Sequence, residues 1–263
     1  MSSFKKYPSK VLTQILNRTP FSILRFIEGK VQSHLGKGWG AGTTDEEAKA
    51  IAYFAKKLRI SKVLALDVGA NLGNWSADLL NEIPSAEVIV FEPSKEAYEY
   101  LQKRFVSKTS IQCANVALGK ENTTATLFAD KSASGLASLT KRRVGHFGID
   151  FSYQENIQLF TLDTWLETYG NGRQPNILKM DVEGHELDVL KGATKALQDI
   201  SIIQFEFGGS NIDTRTYFQD FWYFFLEQGF DLYRLGPREP LLIKSYSEND
   251  ETFRPTNYIA VRM

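Results

Sequence analysis

Five short apolar runs, spread over residues 62–207, constrain the fold of this chain more than any other feature. They are "KVLALD" (62–67), "EVIVFE" (87–92), "SIQCAN" (110–115), "NILKMD" (176–181) and "SIIQFEF" (201–207). Helical patterns lie between most of them, which is typical of a parallel sheet covered on both faces by helices. Two further runs, at 230–235 and 257–262, have no helix between them and indicate an antiparallel pair. The sequence therefore predicts an α/β fold with a doubly wound, mostly parallel seven-stranded sheet and an antiparallel edge strand.

Length, charge and cysteine content exclude several classes of protein. A chain of 263 residues suits one α/β core with additions. Basic and acidic residues are equal in number, at 31 each. The chain therefore has no net positive charge that would attract a phosphate backbone, and we expect no sequence-independent binding of nucleic acid. No apolar run approaches the roughly 18 residues of a membrane span. The single cysteine, Cys113, cannot form an internal disulfide, and it indicates a reducing, cytoplasmic location.

The N-terminal part of the chain differs from the rest. Residues 1–42 contain seven lysines and arginines but one acid, Glu28. Apolar residues recur at helical spacing on both sides of Pro20, which predicts two short amphipathic helices. Residues 37–44 have the composition of a flexible link, and Thr44 or Asp45 is expected to cap a helix that ends near Leu58. We therefore divide the chain into an N-terminal helical segment, 1–58, and a main domain, 59–263.

These two N-terminal helices have more than one possible role. Packing on the core or on a second copy in a homo-oligomer is the simpler interpretation, and a role at a membrane surface is the alternative.

Residues 116–161 interrupt the regular alternation and form a predicted insertion. "ATLFA" (125–129) and "NIQLF" (156–160) have the pattern of strands, and the chain between them is polar and contains glycine. Such a segment at the binding edge of a sheet is expected to cover the substrate. Within it, Arg142, Arg143 and His146 could contact an acidic or sugar substrate, although a solvated loop is the simpler interpretation.

Polar residues follow the strand-like runs at their carboxyl ends, where open α/β sheets bind ligands. They are Asp67, Glu92, Asn115, Asp181 and Glu206. Asp67 begins a D-x-G-x-x-x-G pattern, and a carboxylate before a glycine turn suits a cationic ligand such as a sulfonium better than a pyrophosphate. The alternative is that the glycines serve only tight packing. Glu92 is placed to accept hydrogen bonds from ribose hydroxyls, or to cap the following helix.

The stretch "KMDVEGHE" (179–186) concentrates ionisable groups at one strand end. Asp181 and His185, with Glu183 between them, are candidates for a catalytic base that removes a hydroxyl proton, although such residues are often only caps. Asp181, Glu183 and Glu206 could instead bind a divalent cation such as Mg²⁺. Lys179 is expected to neutralise these acids.

Several blocks together resemble the FkbM family of S-adenosylmethionine-dependent methyltransferases, which have a Rossmann-like fold. The blocks are "DVGANLGNWS" (67–76), "VFEPSKEAYEYL" (90–101), "NVALG" (115–119), "TLDTWL" (161–166), "LKMDVEGHELDVLKGA" (178–193) and "NYIAVR" (257–262). The resemblance spans about residues 60–262 and implies methyl transfer to a hydroxyl of a sugar, polyketide or other small metabolite.

The same resemblance implies roles for individual residues. Asp67, Gly69, Asn71 and Gly73 would line the methionine and ribose part of S-adenosylmethionine, and Glu92 would hold the ribose hydroxyls. The adenine would lie between Asn115 and Val116, and Asp181 would face the reacting methyl group. Two alternatives stay open: a non-catalytic binding protein with the same fold, and a nicotinamide-dependent oxidoreductase, which the missing G-x-G-x-x-G pattern disfavours.

Overall fold

A sheet of eight strands organises the molecule. The structure is a computed structural model, and it describes residues 10–40 and 44–262. Lys5 and Lys6 of the basic N-terminal stretch, and residues 41–43 of the predicted link, lie outside the described residues. The strands, in chain order, are β1 (Leu64–Val68), β2 (Glu87–Phe91), β3 (Ile111–Ala114), β4 (Ala117–Leu118), β5 (Thr123–Ala129), β6 (Tyr153–Phe160), β7 (Ile177–Met180), β8 (Ile202–Phe207), β9 (Asp231–Arg234), β10 (Leu241–Leu242) and β11 (Thr256–Val261).

The main sheet has the order β10-β9-β11-β8-β7-β1-β2-β3. Strands β3, β2, β1, β7 and β8 are parallel, as the alternation of strands and helices predicts. The seven predicted strands are all present. Two details differ from the prediction. The reversed strand β11 lies between β8 and β9 and not at the edge, and β10 adds an eighth, antiparallel strand outside β9. All six residues of β11 are buried, which is typical of a strand inside a sheet.

Helices cover both faces of this sheet. The helices, in chain order, are α1 (Lys10–Arg18), α2 (Phe21–His34), α3 (Thr44–Lys57), α4 (Asn74–Glu82), α5 (Lys95–Arg104), α6 (Leu162–Tyr169), α7 (Glu186–Lys191), α8 (Ser210–Thr214) and α9 (Phe218–Glu227). Side chains of α3, α4 and α5 belong to one apolar cluster, and those of α6, α7 and α9 belong to the other. Because successive residues of a strand point to opposite faces, the β1 residues Leu64 and Leu66 lie in one cluster and Ala65 lies in the other.

The aromatic helix α9 fills the second layer. Phe218, Phe221 and Phe225 are buried against the sheet. Their main partner is Phe205 of β8, whose ring lies 4.7 Å from that of Phe221 and 5.2 Å from that of Phe225. The ring of Tyr258 lies 5.4 Å away from Phe205. Phe205 is therefore the centre of an aromatic stack between β8, β11 and α9.

The insertion forms a separate sheet with the order β4-β6-β5. The two predicted strands are β5 and β6, which pair antiparallel over their whole length. Their apolar side chains and Ala117 of β4 form a small core of their own.

The helices α1 and α2 meet at Pro20, as predicted. None of the α2 side chains is buried, so the interpretation that this helix packs on the core is wrong. The described part of the predicted link, by contrast, contacts the main domain. The N–H of Gly38 donates to the Thr256 hydroxyl at 2.8 Å, and a Cβ at Gly40 would lie 2.6 Å from the backbone of Pro255. No helix in residues 10–40 and 44–262 is long and apolar enough to cross a membrane.

The aromatic stack gives a first prediction. Phe205→Ala should lower the free energy of unfolding by about 3–5 kcal/mol, because it empties a fully buried site between β8 and α9. Urea unfolding followed by circular dichroism measures this change. Phe147→Ala serves as the matched control, since Phe147 is 71% exposed and its loss should cost no more than about 0.5 kcal/mol. Equal effects of the two substitutions would contradict the assignment of Phe205 to the core.

Candidate active site

A cavity lies at the carboxyl ends of β1, β2 and β7, under the insertion. Its volume is about 220 Å³. One side is apolar, with Phe91, Val116, Leu118 and Leu127, and the other side is polar. The predicted site residues that line this cavity are Gly69, Asn71, Glu92, Val116, Asp181, Glu183 and His185.

Glu92 is the buried carboxylate of the cavity wall. Its Oε2 accepts the backbone N–H of Asn71 at 2.7 Å, and its Oε1 accepts that of Ser94 at 2.8 Å. Each carboxylate oxygen can accept a second hydrogen bond, so the group retains acceptor sites for two hydroxyls. Burial raises the pKa of Glu92 to about 7, although the two N–H donors work against this shift. Near neutral pH, a hydrogen-bond donor that enters the cavity would therefore stabilise the ionised form of Glu92.

Asp67 lies beneath the cavity and not on its surface. Its carboxylate is fully buried, accepts the hydroxyl of Ser76 at 2.7 Å and pairs with the Lys179 ammonium at 3.1 Å. Asp67 and Lys179 are direct neighbours across β1 and β7. Burial disfavours the charged form of Lys179, but the fields of Asp67, Asp181 and Glu47 outweigh it and raise the lysine pKa. Lys179 thus neutralises the acidic edge as the sequence predicts.

The glycine loop after β1 uses its N–H groups internally. The N–H groups of Gly69 and Ala70 both bond to the carbonyl of Phe91, that of Asn71 bonds to Glu92, and that of Gly73 bonds to the carbonyl of Ala70. A pyrophosphate-binding loop instead presents such groups to its ligand. This arrangement weakens the case for a dinucleotide cofactor.

Packing explains why both glycines are needed. Gly69 and Gly73 have positive φ angles, of 75° in each case. A Cβ at Gly69 would collide with the carbonyl oxygen of Asp181, and one at Gly73 would lie 2.6 Å from the ring of Phe105. The alternative of tight packing therefore accounts for Gly73, which does not line the cavity.

The turn "DVEGH" after β7 is held by a buried carboxylate. Glu186 is fully buried, and its Oε1 accepts the N–H groups of Val182 at 3.0 Å and of Gly184 at 3.2 Å. Burial raises its pKa to about 7. Glu183 within the turn has a left-handed backbone with φ of 51°, which a non-glycine residue adopts only when its surroundings hold it there.

The insertion supplies those surroundings. The Arg142 guanidinium pairs with the Glu183 carboxylate at 2.6 Å and lies 3.7 Å from Asp213. The Ser138 hydroxyl donates to the Glu183 carbonyl at 2.8 Å. Arg142 is therefore a partly buried structural residue, and the solvated-loop interpretation is wrong for it. Burial and the neighbouring Asp181 raise the pKa of Glu183, while Arg142 works in the opposite direction.

His185 lies in the wall between the first cavity and a second one. Its Nε2 is 3.0 Å from the Thr140 hydroxyl, and its Nδ1 is 3.2 Å from the Asp188 carboxylate. The second cavity is polar and has a volume of about 460 Å³. It is lined by Lys120, Thr140, Gly184, His185, Leu187, Asp188, Lys191, Asp213, Thr214, Arg215, Thr216 and Asp220. The hydrogen bond from His185 lowers the pKa of Asp188. A histidine with a carboxylate behind it is the usual arrangement of a general base.

Four predicted site residues do not line the cavity: Asp67, Gly73, Asn115 and Glu206. The Asn115 side chain is outside and donates to the carbonyls of Glu92 and Pro93, both at 2.9 Å, so it fixes the turn after β2. Burial, followed by the fields of Asp181 and Glu183, raises the pKa of Glu206 well above its usual value.

The metal prediction gains no support. No three His, Cys, Asp or Glu side chains in the described part of the chain are placed so that they could hold a metal ion. Of the predicted ligands, Glu183 already pairs with Arg142.

Sequence reasoning missed the residues that the insertion contributes. Ser134, Gly135, Ser138 and Leu139 line the first cavity. They lie in a polar stretch without periodicity, so no local pattern distinguishes them from a surface loop. Asp188 could have been recognised from its spacing in the sequence, because a carboxylate three residues after His185 lies on the same side of a short helix.

Comparisons with known proteins agree with this geometry. A family model described as the methyltransferase FkbM domain matches residues 67–232, which is more than half of the chain. The chain belongs to the FkbM methyltransferase family. The matched region begins within β1 and ends within β9, and it includes all the residues that line the two cavities.

Two curated relatives have methyltransferase names. Methyltransferase 1 of Beauveria bassiana is 23% identical over 141 residues, and the match covers 48% of this chain and 57% of the relative. Hexuronic acid methyltransferase AglP of Haloferax volcanii is 28% identical over 140 residues, with 52% of each chain covered. The chain thus spans about half the length of the curated relatives it matches.

A solved structure adds a distant likeness. Precorrin-6y C5,15-methyltransferase of Geobacter metallireducens is 10% identical, with a TM-score of 0.41, and the match covers 81% of this chain and 86% of that one. Such a distant similarity carries no argument about function.

The residues of the first cavity fit S-adenosylmethionine. The apolar wall with Val116 and Leu118 suits a purine, and the Glu92 carboxylate has acceptor sites left for the two ribose hydroxyls. The Asp181 side chain is 45% exposed at the carboxyl end of β7, where it can face a positive charge.

The buried ion pair gives a second prediction. Lys179→Met should lower the free energy of unfolding by about 3–5 kcal/mol, because it leaves the Asp67 carboxylate buried without a cation. Urea unfolding measures the change. In the double variant Asp67→Asn/Lys179→Met the buried charge is gone, so this variant should be more stable than Lys179→Met alone. A double variant that is less stable than the single one would contradict the pairing.

Proposed function

We propose that this protein is an S-adenosylmethionine-dependent O-methyltransferase that acts on a hydroxyl of a sugar-containing or other small-molecule acceptor. The observation that carries the proposal is the position of His185 in the wall between two cavities. A base at this wall can lie close to a methyl donor in one cavity and to an acceptor hydroxyl in the other. Methyl transfer requires the acceptor oxygen to be aligned with the methyl group of the donor.

The first cavity would hold the cofactor, which supplies an electrophilic methyl group on sulfur when bound. Glu92 would accept the ribose hydroxyls, and Val116 would contact the adenine. Gly69 and Asn71 would contact the methionine and ribose part, and Asp181 would face the positive sulfur. Asp67, Gly73 and Asn115 would act from behind the wall, since their contacts fix the loops that carry these residues.

His185 is the best-placed base for the acceptor hydroxyl. Its Nε2 would take the hydroxyl proton, and the Asp188 carboxylate at Nδ1 would hold the ring and stabilise the imidazolium that results. Glu183 is less suited because Arg142 occupies its carboxylate, and Lys179 lies 3.9 Å from Asp181. In this proposal Asp188 is a positioning residue.

The second cavity would bind the acceptor. Its lining has hydroxyl groups from Thr140, Thr214 and Thr216, cations from Lys120, Lys191 and Arg215, and carboxylates from Asp188, Asp213 and Asp220. Such a mixture of hydrogen-bond donors and acceptors suits a polyhydroxylated ligand. The Haloferax volcanii relative is named a hexuronic acid methyltransferase, which agrees with an acceptor of this class.

The cytoplasmic location, the homo-oligomer and the division of the chain at residue 58 stay predictions, as does the divalent cation.

Glu92 gives a prediction about cofactor affinity and pH. The ionised carboxylate can accept both ribose hydroxyls, and its pKa in the free protein is raised to about 7. Affinity for S-adenosylhomocysteine should therefore rise between about pH 6 and about pH 8 as Glu92 loses its proton. Glu92→Gln should weaken binding roughly 10- to 100-fold at the upper pH and remove the pH dependence.

Titration calorimetry of the full chain measures both effects. Glu155→Gln is a control, because Glu155 is an acid that bonds the backbone of Lys95 outside the cavity. Unchanged affinity in Glu92→Gln would exclude the ribose role.

His185 and Asp188 give a prediction about turnover. His185→Asn should lower kcat about 100- to 10,000-fold, because a general base contributes that much, while S-adenosylhomocysteine affinity changes little. Asp188→Asn should lower kcat less and shift the pH profile. The measurement is transfer of a labelled methyl group from S-adenosylmethionine to a glucuronic acid glycoside.

Full kcat in His185→Asn would exclude it as the base. Binding of S-adenosylhomocysteine without transfer to any hydroxyl acceptor would instead favour the non-catalytic binding protein.

A further inference from the structure

The two N-terminal helices present an apolar surface to solvent. In the α1–α2 segment, residues 10–35, the exposed large apolar side chains are Leu12, Ile15, Leu16, Phe21, Ile23, Phe26, Ile27, Val31 and Leu35. Phe21 is 83% exposed and Phe26 is 65% exposed. Scattered apolar residues are normal on a surface, but a continuous group of this size marks a contact site.

Three of the exposed apolar side chains of α2 share one side of the helix. Ile23, Ile27 and Val31 are four residues apart, so they lie in a row along α2. Phe26 and Lys30 form a neighbouring row, in which the Lys30 ammonium lies 5.7 Å from the centre of the Phe26 ring. A lysine beside an aromatic ring at the border of an apolar face is typical of helices that lie in a membrane interface.

The α1–α2 segment carries an excess of positive charge. Arg18, Arg25 and Lys30 have no ion-pair partner among residues 10–40 and 44–262, and Glu28 is the single acid of the two helices. Residues 1–42 carry seven cations and one anion in a chain without net charge, so residues 43–263 have six more acids than bases. The positive charge is thus concentrated where the apolar side chains are exposed.

We propose that the α1–α2 segment docks this protein on a membrane surface that contains anionic lipids. Apolar side chains would enter the interface, and Arg18, Arg25 and Lys30 would face the lipid phosphates. A second copy of the segment is the weaker candidate, because pairing two of them would bring like charges together. An anionic bilayer complements both the apolar and the basic groups.

The attachment of the segment places the active site near this surface. The carbonyl of Leu35 accepts from the Arg234 guanidinium at 3.2 Å, and Gly36 packs against Leu235. Arg234 ends β9, which runs parallel to β8 because β11 is antiparallel to both. The segment is therefore tied to the carboxyl edge of the sheet, the same edge that holds the two cavities. A docked protein would present that edge close to acceptors carried on lipids.

Co-sedimentation of the full chain with vesicles tests the proposal without any need for activity. We expect binding to vesicles of phosphatidylcholine with about 30% phosphatidylglycerol, weaker binding to phosphatidylcholine alone, and loss of binding at about 0.5 M salt. Phe26→Ser should lower the partition coefficient roughly tenfold or more. Phe147→Ser is the matched control, because Phe147 is a similarly exposed phenylalanine on the main domain, and it should bind like the wild type.

A pair of charge variants tests the electrostatic part. Arg25→Glu/Lys30→Glu should abolish the preference for anionic vesicles, whereas Lys103→Glu/Lys108→Glu makes the same change of net charge on the main domain and should retain it. Failure to bind either kind of vesicle would overturn the proposal, as would equal binding of Phe26→Ser and the wild type. Self-association in analytical ultracentrifugation that Phe26→Ser abolishes, without vesicle binding, would assign the face to a second copy.

Discussion

The buried pair of Lys179 and Asp67 is the interaction on which the site depends. It joins the two central strands at the edge where the acids collect, and it is 3.1 Å long in a region without solvent. Without a buried cation, Asp67, Asp181 and Glu47 would repel one another at this edge. With it, the sheet can present carboxylates to a cationic ligand and stay folded. The cost of burying a charged lysine is thus offset by the carboxylates that collect at this edge.

The insertion completes the site that the sheet begins. Arg142, Ser138 and Thr140 all contact the turn after β7, and Glu183 keeps a left-handed backbone under those contacts. The insertion thereby fixes His185 in the wall between the two cavities. In the proposed function one layer, the sheet edge, would hold the cofactor, and a second layer would hold the base and the acceptor. Changes in the second layer would alter the choice of acceptor without disturbing the first.

The sequence was informative where a pattern is local or periodic. Runs of apolar residues predicted seven of the eight strands of the main sheet, and strand-end positions predicted that Glu92 and Asp181 line one cavity. The placement of β11 inside the sheet could not be predicted, because strand order depends on long-range pairing. The burial of Asp67 under the cavity could not be predicted either. The local sequence of a carboxylate before a glycine turn is the same whether the carboxylate contacts a ligand or a lysine. The contacts of Arg142 depend on an insertion that lacks any periodic signal.

A structure of the chain in complex with S-adenosylhomocysteine would show whether the first cavity binds the methyl donor. We expect both ribose hydroxyls to bond to the Glu92 carboxylate, the purine to lie against Val116, and the sulfur to face Asp181 and His185. A ligand found outside this cavity, or one whose ribose does not touch Glu92, would contradict this assignment.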